Sequence, residues 1–249
     1  MIQQENGRTI PTVKQWRNAM PDIDQQLVLL QLADSFFPSG SYTLSHGLES
    51  LVQSGDIASP GDLEPFVRLL LCNKVGSTDL VALAHAHRAS VQNDIAKVEQ
   101  IDSRLFAQTP IEKTRTAQRQ GGRAMLMVAE KTWPHVQLAT LSEKTTEGSF
   151  NCLHPVVFAV VAQVAGLTEE SAITAFTHSF VTGVLGAGIR LGAVGHLQAQ
   201  QIRLSLSADM AEVCREARVR SLDEMWSCMP LIDLAQMRQA KLSRRLFAS

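Results

Sequence analysis

The residues best suited to chemistry are seven histidines and four cysteines, and their spacing decides what they can do. Cys152 and His154 form the closest Cys–His pair, with only Leu153 between them. Two ligands that close converge on one ion only from an extended or turned backbone, and a tight structural site wants about four ligands. A buried thiol beside a helix-starting imidazole is the simpler reading. His85 and His87 are also two apart, but on a helix they diverge by about 200°, so they do not chelate from one face. Ser45 and His46 set a hydroxyl beside an imidazole, yet adjacent helical positions point apart. Gly183-Val184-Leu185-Gly186-Ala187-Gly188 has the glycines of a phosphate loop without the Gly-Lys-Ser/Thr ending or a preceding strand. The chain also lacks a Gly-x-Ser-x-Gly elbow and a His-Glu-x-x-His pair, so no local motif for nucleophilic or zinc chemistry is present.

Composition narrows the classes further. The chain has 249 residues and a formal net charge of −1, with lysine and arginine scattered rather than gathered on one stripe, which argues against nucleic-acid binding. Cys72, Cys152, Cys214 and Cys228 stand far apart behind no secretory apolar segment, which predicts reduced thiols in a cytoplasmic protein. Residues 148–168 and 171–189 are uncharged or nearly so and approach bilayer-spanning length. Asn151, His154, Pro155 and Gln163 interrupt the first, and His178, Ser179 and several Thr and Gly interrupt the second, so both read as core helices and not as membrane spans.

The elements that must position any site follow from helical periodicity, since alternation at period 2 is scarce. The fold class expected is all-α: a single compact multi-helix bundle with short connections, formed by residues 23–249 behind a flexible tail over 1–22. Ser59-Pro60 with Asp62 opens one helix, whose core face is Leu63, Phe66, Val67, Leu70 and Leu71. Ser77-Thr78-Asp79 should start another, with Leu80, Leu83 and Ala84 inward. Thr109-Pro110-Ile111-Glu112 has the form of a capping box and should open a helix running to about Lys131. Inside that helix Gly121-Gly122 costs about 1 kcal/mol per glycine relative to alanine, which implies a close approach or a kink. Residues 143–148 read as a polar loop. His154-Pro155, Thr168 with Glu169 and Glu170, Ser221 with Glu224, and Pro230 mark later helix starts. The run Gly183, Gly186, Gly188, Gly192, Gly195 suggests a central helix that its neighbours approach closely.

One stretch stands apart. Between Leu27 and Val52 an apolar helical run breaks at Phe37-Pro38-Ser39-Gly40 and resumes as an amphipathic segment after Ser41, and the corner carries Phe36, Phe37 and Tyr42, the only tyrosine of the chain. A corner that carries two phenylalanines and a tyrosine docks on its own core or on a partner, and at least one of the two phenylalanines should plug the core. The chain closes on Arg244-Arg245-Leu246-Phe247, whose apolar pair is costly to leave in water and so favours docking as well.

Leu30-Gln31-Leu32, Pro38, Gly40, Tyr42, Ser45, Gly47, Leu48 and Glu49 together resemble the N-terminal signature of the UreF family of urease accessory proteins. The match continues at Arg115 and Gly122, with Glu112 displaced by one residue, then at Arg190, Leu191, Gly195 and Gln200. It ends on a closing Arg-Leu-Phe-x-Ser at Arg245, Leu246, Phe247 and Ser249. Departures fall at Leu44, His46, His196, Gln239 and Ala240, the last two standing where the family often has His-Glu.

The resemblance implies a non-catalytic helical homodimer that joins a UreD/UreH-type accessory protein and recruits a UreG-type GTPase. The assembly then delivers nickel to the urease apoprotein. No cofactor is expected on this chain, since nickel is handled by the complex. The residues expected to face partners are Phe36, Phe37, Pro38, Gly40, Tyr42, Ser45, Gly47 and Glu49 of the corner, Arg115, and Arg245, Leu246 and Phe247 of the tail. A helical scaffold of the same descent that serves another assembly, and a metal-dependent helical enzyme using Cys152 and His154, are the other readings.

Overall fold

A computed structural model describes residues 4–5, 8–9, 21–37, 44–239 and 246–247. The chain is all-α apart from a two-residue antiparallel pairing of β1 (Gln4–Glu5) with β2 (Arg8–Thr9), in the register Gln4 with Thr9 and Glu5 with Arg8. That pairing lies in the segment expected to be a tail.

The helices follow in chain order as α1 (Pro21–Ala33), α2 (Leu48–Ser54), α3 (Pro60–Leu70), a π-helical stretch (Leu71–Asp79), and α4 (Leu80–Val91). Then come α5 (Ile95–Ala107), α6 (Glu112–Thr132), α7 (Val136–Glu147), α8 (His154–Val164) and α9 (Glu169–Arg190). The chain finishes with α10 (His196–Ser205), α11 (Ser207–Val219), a 3-10 turn (Leu222–Glu224) and α12 (Pro230–Gln239).

Helix α8 is the axis of the fold. Its residues from Pro155 to Ala162 are all buried, which a run of Val, Phe and Ala without a charge requires. Helices α4, α6 and α9 pack around it, and Leu80 to Ala84 of α4 are buried on every side. The close approach of α6 depends on Gly122. A Cβ there would stand 2.0 Å from the Cys152 carbonyl oxygen. Cys152 itself has φ +65, and the Asp102 carboxylate holds its loop by accepting the N–H groups of Asn151 at 2.8 Å and Leu153 at 2.9 Å.

Helix starts governed by nearby residues lie where the sequence puts them. The Asp62 carboxylate accepts the Ser59 N–H at 2.9 Å, Thr168 Oγ1 accepts the Ser171 N–H at 3.2 Å, and Glu224 accepts the Ser221 N–H at 2.7 Å.

Four expectations are corrected. Residues 143–147 are the last turns of α7, and the chain turns only at Gly148, φ +83, because the Thr145 and Thr146 hydroxyls are satisfied within the helix, donating to the Leu141 and Ser142 carbonyls at 2.7 and 3.0 Å. Ser77 to Asp79 start nothing; the π-helical stretch carries α3 directly into α4. Thr109 closes no capping box, because its hydroxyl donates to the Leu105 carbonyl at 2.9 Å, and α6 begins at Glu112. Among the glycines of α9, Gly188 is close-packed, with a Cβ position 2.7 Å from Leu63 Cδ2, whereas Gly183 and Gly186 have no such neighbour within 4 Å among the described residues.

Helix α9 is long and apolar enough to cross a membrane, with a mean hydropathy of 1.4. Here Ala172, Ile173, Phe176, Val181, Val184 and Leu185 are spent on the core.

Candidate functional site

The corner after α1 is built by a short side chain. Asp34 Oδ1 accepts the Phe36 N–H at 2.9 Å while the Asp34 carbonyl accepts the Phe37 N–H at 3.0 Å, an Asx turn that sends the two rings opposite ways. Phe36 points into solvent, 92% exposed. Phe37 is buried and stacks on Trp133, centroids 6.2 Å apart and planes 22° off parallel. Ser179 of α9 fixes the end of α1 by donating to the Ala33 carbonyl at 3.0 Å.

The chain re-enters through Ser45, which is buried, and two left-handed residues, His46 (φ 53) and Gly47 (φ 87), before α2. Gly47 serves both conformation and space, since a Cβ there would lie 3.1 Å from Gln236 Cγ of α12. Glu49, in the first turn of α2, is fully buried. Its carboxylate accepts the backbone N–H of Leu246 at 2.6 Å and of Phe247 at 3.3 Å. The Phe247 ring is buried beneath the Arg190 guanidinium, 4.5 Å from Cζ to the centroid, and Leu246 is turned outward, 74% exposed.

The sequence-singled residues thus divide sharply. Phe36 and Leu246 are exposed; Phe37, Ser45, Gly47, Glu49 and Phe247 are buried, with Phe37 against Trp133, Gly47 against Gln236, Glu49 on the tail and Phe247 under Arg190. Arg115 lies elsewhere, its guanidinium over the Phe106 ring at 4.8 Å. Pro38, Gly40, Tyr42 and Arg245 lie outside the described residues.

Behind the corner is a cavity of about 760 Å³, bordered by α1, α9 and α12. Phe158, Phe176 and Phe180 form its apolar side. Its polar side carries a Lys74–Asp79 ion pair, to which Gln118 Nε2 adds a contact at 3.5 Å from Asp79. Three imidazoles face it. Burial pushes His46 down to about 4, helped by the Lys74 charge, and burial alone pushes His154 down to about 4. His178 is lowered by burial and by Arg203, so all three are neutral near pH 7. Asp233 is raised by burial, against the Lys74 charge.

His46 packs edge-on against Phe180, and His154 packs edge-on against Phe158 and tilted against Phe176, as aromatic wall residues do. Among the described residues no group of three His, Cys, Asp or Glu is gathered for a metal ion. Cys152 is buried, with its thiol pushed up to about 11 by burial, which is the state of an inert packing thiol. His85 and His87 bond different carbonyls, of Arg220 and Leu167, each at 3.0 Å.

Exposed apolar side chains are spread over several helices of the molecule, and one group of them lies on the elements that border this region. Leu27 and Leu30 stand out from α1, and Leu231, Leu234 and Met237 from α12, in addition to Phe36 and Leu246. Sequence reasoning missed the cavity, Arg190 as a cover for Phe247, and the tie between Glu49 and the tail. For the tie a faint signal existed: an acid following Leu48 in a short helix, and a tail with apolar side chains but free main-chain donors.

The UreF family model matches residues 57–207. The chain is 52% identical over 228 residues to the urease accessory protein UreF of Trichodesmium erythraeum strain IMS101, covering 92% of this chain and 98% of that protein. It is 28% identical to the urease accessory protein UreF of Bradyrhizobium sp. strain ORS 278, over 89% of this chain and 90% of that one. For the urease accessory protein UreF of Bacillus sp. strain TB-90 the identity is 26%, over 91% of this chain and all of the relative. With its all-helical fold and with the corner and tail signatures meeting at Glu49, this chain belongs to the UreF family of urease accessory proteins.

Proposed function

We propose that this chain is a non-catalytic scaffold of urease maturation. It works as a cytoplasmic homodimer that binds a UreD/UreH-type accessory protein, recruits a UreG-type GTPase and regulates it. The assembly carries nickel to the urease apoprotein, and the metal is not stably held by this chain.

The observation that carries this reading is the outward placement of Phe36 and Leu246 directly beside Phe37 and Phe247, which are buried. Burying one such side chain is worth about 1.5–3 kcal/mol, so a fold that anchors Phe37 and Phe247 yet exposes their neighbours leaves that gain for a partner. The apolar side chains of α1 and α12 extend the same kind of surface. Pro38, Gly40, Tyr42 and Arg245 belong to the proposed contact set through their places in the corner and tail signatures.

The test is co-purification of the chain with its UreD/UreH-type partner, comparing the natural protein with Phe36→Asp and Leu246→Asp. Loss of capture in both, with unchanged melting, supports the reading. Full capture by both removes the corner and tail from the contact surface.

A further inference from the structure

We propose that Glu49 is the receptor for the chain's own C-terminal tail, and that this latch sets the position of Leu246 for partner docking. The latch stands on geometry alone; its consequence for docking rests on the scaffold reading above.

Three segments far apart in sequence converge here. Glu49 lies 197 residues before Leu246 and accepts its N–H at 2.6 Å, with the Phe247 N–H at 3.3 Å on the other carboxylate oxygen. A carboxylate with no exposed surface is stable only when hydrogen-bonded, and two of the bonds it receives come from the tail. Because main-chain N–H groups make these bonds, Glu49 fixes the path of the tail without reading its side chains. Recognition comes from the next contact, where the Phe247 ring is buried under the Arg190 guanidinium at the end of α9.

The two contacts together determine where Leu246 goes. With its own N–H bound to Glu49 and the following ring anchored inward, its side chain is turned to solvent, 74% exposed. The corner that presents Phe36 is joined to α2 through Ser45 and Gly47, so one carboxylate ties tail to corner. Glu49 is therefore a positioning residue: it is fully buried and acts through Leu246. Without the latch the corner remains and the tail leaves it.

The experiment uses the full chain. Hydrogen exchange of the C-terminal peptide is compared in the natural protein, Glu49→Gln and Phe247→Ala, with circular dichroism recording the fold. Glu49→Gln keeps the shape but turns one acceptor into a donor facing an N–H. We expect exchange at Leu246 and Phe247 to rise by about tenfold or more in each variant with helicity retained. Unchanged exchange in folded Glu49→Gln overturns the latch, and Phe247→Ala gives the same decision if the glutamine variant does not fold.

A second arm measures capture of the UreD/UreH-type protein. Glu49→Gln should weaken capture in the full chain and add nothing in a chain ending at Gln239, since a residue that acts through the tail has no effect without it. An equal effect in both chains overturns the positioning role. If the natural chain shows the protected tail but captures no partner, the latch stands and the scaffold reading falls.

Discussion

Two glycine-to-alanine substitutions on helices should move stability in opposite directions, although the sequence treats them alike. At Gly122 a Cβ would stand 2.0 Å from the Cys152 carbonyl oxygen, 2.9 Å from its carbon and 3.2 Å from the His154 nitrogen. Ordinary contact begins at 3.4 Å, so α6 and the loop must part by about 1.4 Å, the difference of 3.4 and 2.0. The loop resists, because Asp102 holds the residues on either side of Cys152 and Arg119 Nε donates to the Asn151 carbonyl at 3.2 Å. Both sides of the clash are backbone, which sets the overpacking cost at about 3 kcal/mol, the upper end of the usual range. The better helix propensity of alanine returns about 1 kcal/mol. Gly122→Ala should thus lose about 2 kcal/mol, lowering Tm by about 4–8 °C in a chain of this size. Gly183→Ala meets no atom of the described residues within 4 Å and should keep the whole propensity gain, raising Tm by about 2–4 °C. Thermal melting by circular dichroism reads both. A Gly122→Ala protein that melts at or above the natural one would refute the packing account of this crossing.

Other consequences follow from the same geometry. His154 has its pKa lowered by burial from 6.5 to about 4, so the folded state binds fewer protons than the unfolded one between those values. Stability should be fully present above pH 6.5 and decline as pH falls toward 4, by at most about 3 kcal/mol for this residue; urea melts at pH 7 and 5 should differ less in His154→Gln. Cys152, buried and with its thiol at about 11, should resist iodoacetamide at pH 8 while exposed Cys228 is labelled, as peptide mass spectrometry would record. Phe36→Asp should leave Tm within about 1 °C, since its ring touches solvent and little else, and should cost partner binding at least about tenfold. An unchanged affinity would remove Phe36 from the interface.

Features fixed by neighbours were legible in the sequence. Ser59 with Asp62, Thr168 with Ser171 and Ser221 with Glu224 are decided within three residues, so the start signals could be read directly. Gly122 was legible as an anomaly, although not its partner. The errors arose where a distant group satisfied a local one. Ser77-Thr78-Asp79 has the composition of a cap, yet Thr78 donates to the Trp226 carbonyl at 2.7 Å and Asp79 pairs with Lys74, so the helix runs on. Thr109 is claimed by the helix before it. At the corner, the residue types announced a docking surface but not its sides: the inward turn of Phe37 depends on Trp133, and Glu49 reads as a surface acid until the tail, 197 residues later, is brought to it.

The central claim is that this chain assembles other proteins, and size-exclusion chromatography with light scattering tests it most directly. The chain is run alone and mixed with the UreD/UreH-type and UreG-type proteins. The account predicts a dimer that moves into a larger complex with the first partner and larger still with the second. A chain that elutes unchanged beside both would contradict it.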